Sequence, residues 1–333
     1  MYYKLFPEIL NKKRKMPVYY FISVSNICNA NCKFCDIHEK KDINTKVDIK
    51  KLLNSLKQSG AEYVHFTGGG EPLANKKIYE YFEYATELGL NIVFITNGYF
   101  LSEDKIEKLK DYNIKAIFFS IDSYLPKVHN ETRGVADIYE KATYAINLIK
   151  EKYPNIKIVI NHVLNMSNID DIKEFIKLSK SVKYDYLNPI IVKECPEYYF
   201  SIEQINNYNL NLKELYDLIK KYNIEILYDD INYFEKDSYL NDGSDLRKNN
   251  IPCNILNYCS FIDCVTGNVY PCDCSVHRDS DYYSIGNVIE NNICDIYNSS
   301  KAIKLKEELE RCSKCKNKCD YANMYLNMKI NEK

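Results

Sequence analysis

The chain has 333 residues, of which 46% are hydrophobic and 27% charged, and its 45 basic and 46 acidic side chains leave a formal charge of -1. This composition excludes a wholly disordered chain, a collagen and a small toxin scaffold, and the balanced charge argues against a general nucleic-acid scavenger. No apolar run approaches the roughly 20 residues that span a bilayer, and the charged start lacks an apolar segment with a cleavage site, so the chain reads as cytoplasmic, with neither membrane nor nucleic acid as a partner.

From residue 19 to 227 short β-branched or aromatic runs alternate with longer amphipathic segments. The spacing predicts strands over 19–24, 63–67, 91–96, 116–121, 157–163 and 184–190, each short and mostly apolar as buried parallel strands are. Helices are expected over 49–58, 76–87, 103–111, 137–152 and 168–181. In the second, Ile78, Tyr81, Phe82, Ala85 and Leu88 recur on one face, which should pack on the sheet. The fold class expected is α/β: a partial (β/α)6 TIM-like barrel followed by a small cysteine-rich α+β domain, with chemistry on the loops after the strand C-termini. A doubly wound sheet fits the periodicity almost as well. The expected division is 1–236 for the barrel with an N-terminal extension, 237–251 for a polar linker around Gly243, and 252–333 for the cysteine-rich unit.

Thirteen cysteines is an odd count, and eleven fall into two clusters at opposite ends of the chain. In a reducing compartment that pattern favours metal ligation over disulfides. After the first strand stands Cys28-Asn-Ala-Asn-Cys32-Lys-Phe-Cys35. Three thiolates in one short loop can hold three irons of a cubic iron-sulfur cluster and leave the fourth open; a zinc site would need a further partner, which His38 could supply. After the second strand, Thr67-Gly68-Gly69-Gly70-Glu71-Pro72 reads as a backbone approach site, since glycine leaves no side chain between the main chain and a small ligand.

The Cys-x3-Cys-x2-Cys loop, with Phe34 before its last cysteine, resembles the signature of the radical S-adenosylmethionine (SAM) superfamily. The glycine run resembles that family's GGEP motif, which contacts the methionine amino group; the extra glycine leaves open how Gly68, Gly69 and Gly70 share the role beside Glu71. The resemblance implies further SAM contacts at Asn97 after strand three, at Ser120 and Asp122 ending strand four, and at Asn161 on strand five. Helix capping or loop bonding is the competing role for Ser120 and Asp122. Arg133 resembles an arginine that approaches the SAM carboxylate or the substrate, a task its fixed fork suits, with an ordinary ion pair as the alternative.

The second cluster runs from Cys253 through Gly267 and Cys272 to Cys312, Cys315 and Cys319. It resembles the SPASM and twitch accessory domains of radical SAM enzymes, which hold one or two auxiliary clusters. No cysteine follows Cys319, so one auxiliary 4Fe-4S cluster is expected on Cys253, Cys272, Cys315 and Cys319, with Cys259 and Cys312 as substitutes; two clusters or a zinc knuckle are the alternatives.

The resemblance implies reductive cleavage of SAM at a 4Fe-4S cluster on Cys28, Cys32 and Cys35, giving a 5'-deoxyadenosyl radical that abstracts a substrate hydrogen. It further implies a reductant such as flavodoxin or ferredoxin. The substrate expected first is a ribosomally made peptide or protein, modified by crosslinking, oxidation or epimerisation. A small-molecule dehydrogenase or cofactor-building enzyme is the second reading, and a zinc-stabilised binding module or iron-sulfur electron carrier the non-enzyme one.

Overall fold

Six apolar runs become six parallel strands laid side by side in chain order: β1 (Tyr19–Ser23), β2 (Tyr63–Thr67), β3 (Asn91–Thr96), β4 (Ile114–Ser120), β5 (Lys157–Leu164) and β6 (Tyr186–Ile191). The structure, a computed structural model, describes residues 4–11, 16–40, 44–192, 195–227, 252–276, 280–311, 327 and 329. Each strand pairs with its predecessor, so the order never reverses, and the doubly wound alternative, which needs a switch point, is excluded. This is the partial barrel. Its strands carry apolar residues on both faces because helices cover the outside and side chains fill the inside.

The helices follow from caps and stripes. In α1 (Ile49–Gln58) Asp48 caps the first turn by accepting from Lys51 N at 3.1 Å, and Ile49, Leu52, Leu53 and Leu56 are buried. In α2 (Ile78–Glu87) the buried set is Ile78, Tyr81, Phe82 and Ala85, the face expected. The segment 103–111 divides into α3 (Glu103–Glu107) and a 3-10 turn, Lys108–Asp111. Two helices of the barrel region were not among the expectations: α4 (Pro126–Arg133), which precedes α5 (Ile138–Lys152), and α7 (Ile202–Lys221). Between them, 168–181 yields only the short α6 (Ile172–Ile176) flanked by 3-10 turns. Signals for both unexpected helices were present. Pro126 opens α4 and Gly134, at φ +66°, closes it, while Ser201 and Gln204 form a reciprocal capping box on α7.

The sheet continues past both edges of the barrel. A short β7 (Glu225–Ile226) extends β6. On the other side β8 (Cys259–Asp263) lies parallel to β1 in the register Tyr19↔Cys259, and β9 (Asn268–Tyr270) and β10 (Gly286–Asn287) follow antiparallel. The cysteine-rich hairpin is therefore an extension of the barrel's own sheet. Among the described residues four helices accompany it, α8 (Asp273–Val276), α9 (Ser280–Tyr283), α10 (Ile293–Asn298) and α11 (Ser300–Arg311). The linker expected over 237–251 lies outside the described residues.

At the N-terminal ends of the strands a 3-10 turn, Pro7–Asn11, closes the barrel. The Phe6 ring centroid lies 4.5 Å from that of Tyr63, and Tyr63 donates its hydroxyl to Glu8. Above it Tyr19 and His65 meet at 3.0 Å and fill the lumen. Chemistry is left to the opposite end.

Candidate functional site

The loop carrying Cys28, Cys32 and Cys35 leaves β1 at the open end and is held from two sides. From the β2 side, Gly70 N donates to Ser25 O at 2.9 Å, Glu71 N to Ile27 O at 2.8 Å, and Gly69 N to Ser23 Oγ at 2.7 Å. The approach is close: a Cβ on Gly70 would lie 2.0 Å from the backbone Ile27 O, and one on Gly69 1.8 Å from the side-chain Asn26 Oδ1. From the other side the end of α4 latches the loop, with Asn31 N on Arg133 O at 3.0 Å and Lys33 N on Thr132 O at 3.1 Å. Ala30, Cys32 and Ile138 form a small buried cluster against which Cys28, Phe34 and Cys35 pack.

Glu71 is the tie beneath this loop. It is buried, and its carboxyl oxygens accept from Thr96 Oγ1 at 2.8 Å, Leu73 N at 3.0 Å and Asn97 N at 2.6 Å. Asn97 Nδ2 then donates to Asn29 Oδ1 at 2.9 Å, so the ends of β2 and β3 and the cysteine loop are joined through two side chains. Burial pushes the Glu71 carboxyl up to about 7 against the pull of these donors.

On the far wall Ser120, Asn161 and Asn188 stand in lateral register across β4, β5 and β6. Asn188 Nδ2 donates to Asn161 Oδ1 at 2.6 Å. Asn188 was missed by sequence reasoning; its signal was one carboxamide inside the apolar strand Tyr-Leu-Asn-Pro-Ile-Ile. Asp122 turns away from this row and pairs with Arg133 at 2.7 Å, and Arg133 Nη1 lies 3.6 Å from Cys32 Sγ. Two buried histidines stand behind the pair. His129 Nδ1 accepts from Asp122 N at 3.1 Å, and His162 Nδ1 donates to Ile121 O at 3.1 Å while its ring stacks on Phe175.

Beside the cysteine loop lies a cavity of about 760 Å³. Cys32, Phe34, Cys35, Gly68 and Gly69 line one side, Val163 and Ile190 another, and Cys195 and Glu197 stand just beyond β6. Asp273 and Cys274 of α8 reach the same space, so the cysteine-rich segment contributes to the cavity wall.

Three cysteines of one short loop, gathered around Ala30, Cys32 and Ile138, fit an iron-sulfur cluster that takes one thiolate at each of three irons. Without a metal, burial pushes the Cys28 thiol up to about 11 and raises that of Cys35. Among the described residues no three His, Cys, Asp or Glu side chains converge on one ion. The side chain of His38 lies outside the described residues. Among the auxiliary candidates, Cys253 is buried and receives Asn327 Nδ2 at 3.6 Å, and Cys272 opens the turn into α8, where Ser275 Oγ donates to its carbonyl. Cys259 is a core residue of β8, wholly buried. Cys312, Cys315 and Cys319 lie outside the described residues.

A six-stranded parallel β/α barrel with a three-cysteine loop clasped to a glycine loop at its open end has the architecture of a radical SAM domain. Comparison with known families agrees: the Radical SAM superfamily model matches residues 22–179 and the SPASM iron-sulfur cluster-binding domain matches 253–320. The chain carries a radical SAM superfamily domain followed by a SPASM-type iron-sulfur domain. It is 27% identical over 164 residues to the AdoMet-dependent heme synthase of Oleidesulfovibrio alaskensis, a match covering 48% of this chain and 41% of that protein. The chain thus spans under half the length of that curated relative. Among solved structures, SuiB of Streptococcus suis bound to its precursor peptide SuiA superimposes with a TM-score of 0.66 at 18% identity, covering 96% of this chain and 76% of SuiB. The enzyme anSMEcpe with bound AdoMet and the Cp18Cys peptide gives 0.66 at 19% identity, covering 93% of this chain and 88% of that one. These likenesses show a shared fold. No helix among the described residues is long and apolar enough to cross a membrane.

Proposed function

We propose that this chain is a radical SAM enzyme of the cytoplasm that abstracts a hydrogen atom from a ribosomally made peptide or protein, leading to a crosslink, an oxidation or an epimerisation. The observation that carries it is the junction of the cysteine loop and the glycine loop at the wall of one cavity that also touches α8. Cys28, Cys32 and Cys35 would hold three irons of a 4Fe-4S cluster. Gly68, Gly69 and Gly70 keep the β2 loop bare of side chains where SAM would approach, and Ser120 and Asn161 would offer polar groups from the ends of β4 and β5. Glu71 and Asn97 fix the loops by hydrogen bonds. When bound, the cluster and SAM supply a one-electron reductive cleavage that ends in removal of a substrate hydrogen. Cys253 and Cys272, with Cys315 and Cys319, would hold one auxiliary 4Fe-4S cluster, Cys259 and Cys312 being the substitutes. A flavodoxin or ferredoxin would supply the electron.

The peptide reading draws on the cavity's size and on two neighbours of the same fold whose structures hold peptides. A small-molecule substrate is the second reading, supported by the heme synthase relative. The deciding experiment measures iron and acid-labile sulfide after anaerobic reconstitution, together with 5'-deoxyadenosine formed from SAM under a strong reductant. Roughly eight irons per chain, falling to roughly four in the Cys28→Ala, Cys32→Ala, Cys35→Ala triple variant with loss of 5'-deoxyadenosine, supports the proposal. Zinc without iron, or iron without SAM cleavage, overturns it.

A further inference from the structure

Arg133 ends α4 with its side chain turned under the cysteine loop, 8% exposed. Its Nη2 meets Asp122 Oδ2 at 2.7 Å, its Nη1 donates toward Cys32 Sγ at 3.6 Å, and its Cζ lies 5.6 Å from the Phe34 ring centroid. Asp122, 1% exposed, is fixed in turn: Oδ1 accepts from Val163 N at 3.1 Å, and its carbonyl accepts from Asn168 Nδ2 at 2.9 Å.

An ordinary structural ion pair has no need of a sulfur. Here a permanent cation, braced by a buried carboxylate, directs an N–H at one of the three thiolates assigned to the N-terminal cluster. Reduction adds negative charge to an iron-sulfur cluster, so a hydrogen bond or positive charge at a ligand sulfur favours the reduced state, and a nearby carboxylate opposes it. We propose that Asp122 and Arg133 are positioning residues that set the reduction potential of the N-terminal cluster through Cys32, Arg133 raising it and Asp122 tempering the rise. The inference rests on the cluster assignment of the proposed function. It gives Arg133 a role toward Cys32 in addition to the SAM contact that the sequence resemblance implies.

The test is a potentiometric titration of the reconstituted full chain without SAM, followed by electron paramagnetic resonance. The N-terminal signal is the one absent from the triple cysteine variant. Arg133→Gln should leave about tenfold less reduced cluster at a fixed applied potential, which is 59 mV for a one-electron couple. Asp122→Asn should shift the potential the opposite way, and Arg133→Lys should fall between wild type and Arg133→Gln. Iron content and thermal melting of each variant separate a shifted potential from a damaged loop. Unchanged potentials with iron retained, or shifts of the same sign in Arg133→Gln and Asp122→Asn, overturn the inference. If Arg133→Gln does not hold iron, Asp122→Asn decides: an upward shift supports the inference, and no shift or a downward one overturns it. Failure of the proposed function would show separately, as absence of the cysteine-dependent signal from the wild-type chain.

Discussion

Glu71, His129 and His162 are buried titrating groups that pull stability in opposite directions. Burial raises Glu71 from 4.5 to about 7, so the folded chain holds a proton that the unfolded chain has released, and this stabilisation is lost as pH rises from the unfolded value through the folded one. Burial, helped by Arg133, lowers His129 from 6.5 to about 3, and burial lowers His162 to about 4; each stabilises above the unfolded value and loses that contribution as pH falls. Burial also lowers the lumen residue His65 from 6.5 to about 3, so near pH 5.5 three histidines act against one carboxyl. Their net contribution is a rise of stability with pH worth about two protons, or about 2.7 kcal/mol per pH unit. Urea midpoints of the metal-free chain between pH 5 and 6 should show the slope rise by about half in Glu71→Gln and fall by about half in His162→Asn. An unchanged slope in both variants would mean these groups are not held as the geometry requires. The cysteines, the glycine run and Glu71 were legible as residues because their chemistry is written in spacing. That Glu71 serves as a tie between loops was not, since its partners Thr96 and Asn97 lie 25 and 26 positions away.

The two clasps on the cysteine loop are the elements that decide whether a cluster is held, and they should fail differently. A Cβ on Gly70 meets the backbone oxygen of Ile27, which cannot yield without moving the loop. A Cβ on Gly69 meets the end of the Asn26 side chain, which can rotate. Gly70→Ala is therefore expected to lose about half of the reconstituted iron and Gly69→Ala to retain most of it, as read by iron per chain. On the α4 side Gly134 combines φ +66° with a Cβ position 2.8 Å from Asn31 O, so Gly134→Ala should cost more than 1 kcal/mol in unfolding free energy, measured by denaturant titration. These elements were unevenly legible. The six strands and α1 were read nearly to the residue because an apolar run between turn signals has one stable use in a parallel sheet. Helix α4 was not, because of its eight residues only His129 and Arg133 are buried and no apolar stripe announces it. In α7 four asparagines dilute the stripe of Ile205, Tyr208, Leu215 and Ile219, and only the capping box gave it away.

At the scale of the molecule the informative feature is the pairing of β8 with β1, which sequence periodicity could not reveal because the partners are 240 positions apart and nothing in an apolar strand names its neighbour. The composition shift near residue 237 suggested a separate cysteine-rich unit from residue 252, and the sheet runs continuously across that division from β10 to β7. β1 is thereby an interior strand, with Tyr19, Tyr20 and Ile22 at 0% exposure, and its loop carries all three cysteines of the first cluster. Removing everything after residue 251 would convert β1 into an edge with five unpaired register positions and expose apolar surface that α10 and α11 help cover. An autonomous barrel domain would survive that cut as a soluble monomer. The continuous sheet predicts that residues 1–251 aggregate or elute as large species in size-exclusion chromatography, while the full chain reconstituted beside them does not. If 1–251 is monomeric and still binds about four irons through Cys28, Cys32 and Cys35, the β8 to β1 pairing is dispensable, and the accessory segment supports the cavity wall at Asp273 and Cys274 without supporting the barrel.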